Sequence, residues 1–146
     1  MDESGQVHVR GIPFFRCHRK GGVGMTYARV QVSRSRRGQA KVVRLLVDTG
    51  ADYSVLPSSF LARLGVQPEF DEDVEIRNGE IIVRPVGRMH VRWRDRWAET
   101  FVAFGEPRDA RVLGAHALQS LRLEVDPKSH AVRPRRRALF VRAAAG

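Results

Sequence analysis

Disulfide chemistry is the first thing this sequence lacks, because Cys17 is its single cysteine. One thiol excludes an intrachain disulfide framework and fits a reducing compartment, so the expected location is cytoplasmic. Long apolar runs are missing too, and no stretch approaches the roughly 20 residues of a membrane span. The opening "MDESGQVHVR" has two acids and no apolar segment, so it does not read as a secretory leader. The histidines, His8, His18, His90, His116 and His130, show no metal-ligand spacing with one another or with Cys17. No metal and no organic cofactor is therefore expected. Cys17 and His18 are neighbours in sequence, and neighbours rarely face each other for proton transfer. Ser54 lacks the context of a nucleophile elbow. There is no internal repeat, and no low-complexity block beyond an Arg-rich C-terminal segment.

What the chain does have is charge, unevenly spread. The net charge is +10 over 146 residues. Residues 1–47 carry ten Lys/Arg against two acids, residues 48–132 eleven against fourteen, and the tail from Arg133 five arginines and no acid. The basic ends could touch nucleic acid or anionic lipid, or could keep the protein soluble. Solubility is the favoured reading, because no nucleic-acid motif accompanies the charge.

The pattern of apolar residues is that of short strands. "TYARVQV" (26–32) and "KVVRLLV" (41–47) alternate or are β-branched and flank the polar turn "SRSRRGQ", so they read as a hairpin. "YSVLP" (53–57) is a short strand. "SSFLARLG" follows as a helix capped by Ser58 or Ser59, with Phe60, Leu61 and Leu64 on its apolar side and Gly65 at its end. "VEIRNGEIIV" (74–83) predicts a hairpin on an Asn78-Gly79 type I′ turn. A second hairpin is expected around Arg94-Asp95-Arg96, with Trp93 and Trp97 across its turn as core or cross-strand packing. "RVLGAHALQSL" (111–121) reads as a strand entering a short helix after Gly114, and "RLEVDPKSHAVRP" as two strands around Asp126-Pro127. The expected fold is mostly β, a small closed barrel with one or two short helices, over residues 25–133. Residues 1–24 form a basic extension, a candidate for dimer contacts, and residues 134–146 a basic tail.

Within this pattern "LLVDTGADYSVLP" (45–57) stands out. An apolar strand ends on Asp48, then Thr49 and Gly50, and apolar residues resume at once. A carboxylate set against a core is costly unless it is held and used. Gly50 lets the backbone come close enough for main-chain N–H groups to hold the carboxylate, and Thr49 is expected to turn its hydroxyl inward. Asp52 reads either as a support of this loop or as a solvated turn residue. One carboxylate cannot divide acid and base roles, whereas two about 3 Å apart share one proton and can. No second Asp-Thr-Gly or Asp-Ser-Gly occurs in the chain. A dyad would then need a second copy, with Asp48 meeting its own mate on a two-fold axis.

"VDTGADYSVLP" resembles the catalytic loop of the retropepsin-like aspartic proteases, single-domain homodimers related to the retroviral enzymes. "RVLGAHALQSL" is similar to that family's hydrophobic-hydrophobic-Gly element and short helix, with Val112, Leu113 and Gly114 in those places. The hairpin at 74–83 stands where the family has its substrate-covering flap. "LRLEVDP" resembles bacterial soluble members, and the likeness spans roughly residues 26–133. It implies an aspartic endopeptidase with Asp48 as the catalytic group and Thr49, Gly50 and Ala51 supporting it. Ile76, Arg77, Asn78, Gly79, Ile81 and Ile82 would form the flap, with Ile76, Ile81 and Ile82 lining the subsites beside Val112 and Leu113. An extended peptide, apolar at the cut, would be the substrate and a homodimer the active form. The retroviral Gly-Arg pair is replaced here by Gly114-Ala115, so that Arg ion pair is not carried over. The other reading of the same fold is a non-catalytic module that binds peptide or nucleic acid.

Overall fold

The computed structural model describes residues 7–9, 12–13, 25–76, 78–137 and 143–144. In chain order the elements are β1 (Val7–Val9), β2 (Ile12–Pro13), β3 (Tyr27–Ser33), β4 (Lys41–Val47), β5 (Ser54–Pro57), α1 (Ser58–Leu64), β6 (Pro68–Ile76), β7 (Ile81–Trp93) and β8 (Arg96–Gly105). There follow β9 (Val112–Leu113), α2 (Ala115–Ser120), β10 (Leu123–Val125) and β11 (Val132–Pro134). The fold is mostly β with two short helices, as expected.

Strand pairing runs in a closed circuit. β7 pairs with β3, β3 with β4, β4 with β9, β9 with β5, β5 with β8, and β8 returns to β7. Two of these contacts, β4 with β9 and β5 with β8, are parallel. Alternation along the strands fills the ring: Ala28, Val30 and Val32 of β3, and Val43, Leu45 and Val47 of β4, point into the main core with Leu56, Met89, Val91 and Leu113. A smaller cluster of Ala51, Val55, Val86, Ala103 and Val112 lies apart from it, with Tyr53 and Phe101 packed alongside.

Several local expectations are corrected. The N-cap of α1 is Pro57 rather than a serine, and Ser58 Oγ instead donates to the Gly105 carbonyl at 3.0 Å. A tertiary acceptor has taken the hydroxyl that capping would have used. The first hairpin pairs Val74 with Ile82 and Glu75 with Ile81, a register centred on Asn78. A two-residue Asn78-Gly79 turn would need Glu75 opposite Ile82. The tip is therefore an odd-numbered loop with Gly79 left-handed (φ 88°) and Asn78 Oδ1 accepting the Glu80 N–H at 2.9 Å. In the next hairpin Trp93 pairs with Arg96, so the turn is Arg94-Asp95 alone and Arg96 belongs to the strand. From there the Arg96 guanidinium donates to the carbonyls of Leu121 (3.1 Å) and Arg122 (2.9 Å), satisfying groups just past the end of α2. β6 also begins earlier than its apolar residues suggested. "PEFDEDVEI" is too acidic to read as a strand, yet pairing with β7 makes it one.

Residues 1–24, expected as a basic extension, contain β1 and β2. β1 pairs antiparallel with β6, Val7 opposite Ile76 and Val9 opposite Val74. Strands of three and two residues carry too little periodicity to be read from sequence.

Candidate active site

The acid loop leaves the C-terminal end of β4, where that strand pairs with β9. Leu46 and Val47 of β4 run beside Val112 and Leu113 of β9, and the Asp48 N–H donates to the Leu113 carbonyl at 3.0 Å. Beyond that point the chain turns sharply. The Gly50 N–H donates to Asp48 Oδ1 at 2.8 Å, and the Ala51 N–H reaches the Asp48 carbonyl at 3.3 Å. Asp48 is 1% exposed. A carboxylate so enclosed is tolerable because backbone donors replace water. The main-chain N–H that holds the carboxylate is that of Gly50 itself.

α2 is pinned to this loop by its first residues. The Ala115 N–H donates to the Ala51 carbonyl at 2.6 Å and the His116 N–H to the Asp52 carbonyl at 3.1 Å. These are orphan donors of a helix start, and the loop supplies their acceptors in place of a capping side chain. Asp52 thus supports the loop through its backbone. The Gly114 N–H donates to Ser54 Oγ at 3.1 Å in a buried contact. A Cβ on Gly114 would lie 2.6 Å from both the carbonyl carbon and oxygen of Tyr53, so close approach, not an unusual φ, requires glycine there.

Ser54 is the residue that sequence reasoning passed over. Its sequence context is not that of a nucleophile, and its contact with Gly114 depends on the pairing of β5 with β9, where Val55 lies opposite Val112, 57 positions further along the chain. No sequence signal marks it.

Other expected site residues fall differently. Thr49 is exposed in the isolated chain, so its side chain is not folded into its own loop. Ala51 is fully buried. Val112 and Leu113, expected to line subsites, are buried on opposite sides of β9, Val112 in the smaller cluster and Leu113 in the main core. Strand alternation sends the two apart, and both are buried. Ile81 and Ile82 likewise point to opposite faces of their hairpin. Ile82 lies opposite buried Val74, whereas Ile81 is exposed opposite Glu75. Asn78 and Gly79 are exposed at the tip. Arg77 and the side chain of Ile76 lie outside the described residues.

Beside the loop an aromatic group has assembled that the sequence did not announce. The Tyr53 ring meets Phe101 edge-on at 5.6 Å, Phe70 at 6.5 Å, and stacks on His116 at 5.9 Å. Its hydroxyl donates to Glu72 Oε2 of β6 at 3.2 Å. Burial first, and then the Glu72 carboxylate, push the Tyr53 phenol above the ordinary tyrosine range. Tyr53 therefore links the acid loop to the base of the β6–β7 hairpin. The neighbouring part of that hairpin is tied down by Arg84, which reaches Glu106 at 3.1 Å and Asp109 at 3.5 Å.

A buried aspartate thus sits on a backbone-held turn closed against a strand-Gly-helix element, and Tyr53 of the next strand reaches the β6–β7 hairpin. In the comparison with known families, residues 29–117, more than half of the chain, match the model of the family described as aspartyl protease. The chain belongs to the aspartyl protease family. No curated protein matches it. Among the described residues, no helix is long and apolar enough to cross a membrane.

Proposed function

We propose that the chain is a homodimeric aspartic endopeptidase acting in the cytoplasm, with one Asp48 from each subunit forming the reacting pair. The observation that carries this reading is the buried Asp48 carboxylate held by the Gly50 N–H, in a chain of this family with a single such loop. Two such carboxylates on a two-fold axis share one proton. The ionised one takes a proton from water as the water oxygen attacks the scissile carbonyl carbon. The protonated one gives its proton to the carbonyl oxygen, producing a neutral gem-diol. Collapse of the diol returns a proton to the leaving nitrogen and breaks the C–N bond, with no covalent enzyme intermediate.

Thr49 suits a brace across the axis, because its side chain is exposed beside a buried carboxylate. The hairpin suits an extended substrate. Over residues 81–85 β7 is paired with β6 on one side, and its other edge has no strand partner among the described residues. A peptide strand added there would gain main-chain hydrogen bonds. Apolar side chains near the cut would meet Ile82.

Sedimentation and cleavage of an unstructured casein-like substrate test this together. Wild type should be dimeric and active, and Asp48→Asn dimeric and inactive. After subunit exchange at equal amounts, about a quarter of the dimers keep both aspartates, and activity should fall in that proportion. A monomer that cleaves, or an Asp48→Asn protein as active as wild type, would sink the shared-aspartate mechanism.

A further inference from the structure

The outer face of β3, β4 and β7 carries a set of cations that the protease reading does not use. Arg29 of β3 lies directly opposite Arg44 of β4, and Gln31 of β3 lies between Val42 of β4 and Arg92 of β7. Arg29, Arg92 and Arg94 converge with Gln31 and Val42 on an open cleft of about 280 Å³. None of Arg29, Arg44, Arg92 and Arg94 has an ion-pair partner among the described residues. Like charges directly opposite across a ladder are destabilising. Elsewhere on the surface the chain pairs its arginines readily, as Arg88 with Glu69 and Glu99, and Arg133 with Glu124 and Asp126.

Three of the guanidinium groups are held against ring faces. Arg44 stacks over Tyr27 at 3.8 Å, Arg94 over Trp93 at 4.2 Å and Arg92 over Trp97 at 5.3 Å. Stacking fixes the plane of each fork, a preorganised arrangement that lysines would not give. Arg92 Nε donates to the Arg94 carbonyl, which ties these two residues together and leaves the terminal nitrogens of Arg92 for an anion. Neighbouring strands are about 4.8 Å apart, so Arg44, Arg29 and Arg92 lie close together on one sheet face, and Arg94 joins them from the adjoining turn.

We propose that this face binds single-stranded nucleic acid, with the arginines on successive phosphates and the bases against Tyr27, Val42 and the edge of Trp97. An acidic peptide fits less well. β3 is paired on both sides here, so a peptide would find no free backbone edge to join. Tyr27 and Val42 are exposed (37% and 58%) and offer the sequence-tolerant stacking and apolar contact that bases use. The arginines of this site come from β3, β4, β7 and the turn that follows β7, not from the tail beyond Arg133.

The test is fluorescence anisotropy of a labelled single-stranded 20-mer on the full chain over a salt series. Two variants are compared with wild type: Arg29→Gln/Arg92→Gln/Arg94→Gln, and a tail control, Arg135→Gln/Arg136→Gln/Arg137→Gln. Wild type should bind with log affinity falling linearly against log salt. The sheet variant should lose at least tenfold in affinity, and its slope should drop by about 2, from roughly 0.7 per lost phosphate contact. Its thermal midpoint should be unchanged or raised, because like-charge repulsion is relieved. The tail control should retain most of the binding. Absence of binding at low salt, or loss confined to the tail control, overturns the proposal. So does competition by polyglutamate as effective as that by unlabelled strand, which would make an acidic peptide the ligand.

Discussion

The buried Ser54 hydroxyl oxygen accepts the backbone N–H of Gly114 at 3.1 Å. This one contact joins the strand leaving the acid loop to the glycine that opens α2. It acts with the two bonds from Ala115 and His116 into the loop carbonyls, so the geometry around Asp48 depends on a segment more than sixty residues away in sequence.

Ser54→Ala leaves the Gly114 N–H buried without its acceptor and should cost about 1–3 kcal/mol, read by chemical denaturation. Ser54→Thr keeps the acceptor and should recover most of that loss. Gly114→Ala forces a methyl group into the Tyr53 carbonyl and should cost about 1–3 kcal/mol, with a larger loss of catalytic rate than of substrate affinity. Equal stability of Ser54→Ala and wild type would remove the contact from the account.

Ala51 is fully buried beside Asp48 and has no side-chain donor to offer it. Ala51→Ser introduces a hydroxyl that can stabilise the ionised carboxylate. The acid limb of the kcat/KM profile should therefore move to lower pH in the variant. A profile that stays in place would show that the serine hydroxyl does not reach the pair.

Ile82 and Ile81 provide a paired test of the hairpin. Ile82 shares the face of buried Val74, and Ile81 faces the other way. Ile82→Ala should raise KM several-fold for substrates with apolar residues at the cut, and Ile81→Ala should change it little. The reverse ranking would place the substrate on the opposite face of the hairpin.

The acid end of the stability profile should depend on the β10–β11 hairpin. The Arg133 hydrogen bond holds the Glu124 carboxyl below its usual range, and the Lys128 N–H, chiefly, does the same for Asp126. Both groups have folded values lower than their unfolded ones. Their contribution is present above about pH 4 and is lost as pH falls through the lowered values. Arg133→Gln should therefore lower the thermal midpoint more at pH 7 than at pH 2. A constant difference across that range would mean the ion pairs carry no pH-dependent stability.

Legibility in the sequence followed the range of the interactions. β4 was readable to the residue because a β-branched, apolar run is bounded by a polar turn on one side and Asp48 on the other. α2 was readable from its start because Gly114 interrupts the strand pattern. The flap turn was misread, since Asn78-Gly79 favours a two-residue turn locally while the β6–β7 register is set by nine-residue and thirteen-residue strands. A one-residue difference in register changes which side chains share a face.

By itself the sequence determined the acid loop, the order of the loop, hairpin and Gly-helix elements, and a mostly β fold, because each is written in adjacent residues. Only the tertiary structure decided that Ser54 meets Gly114, that Leu113 packs in the main core, and that Arg29, Arg44 and Arg92 share one face with Arg94 beside it. Those relations pass through strand pairing between distant segments, and pairing register leaves no mark within any one segment.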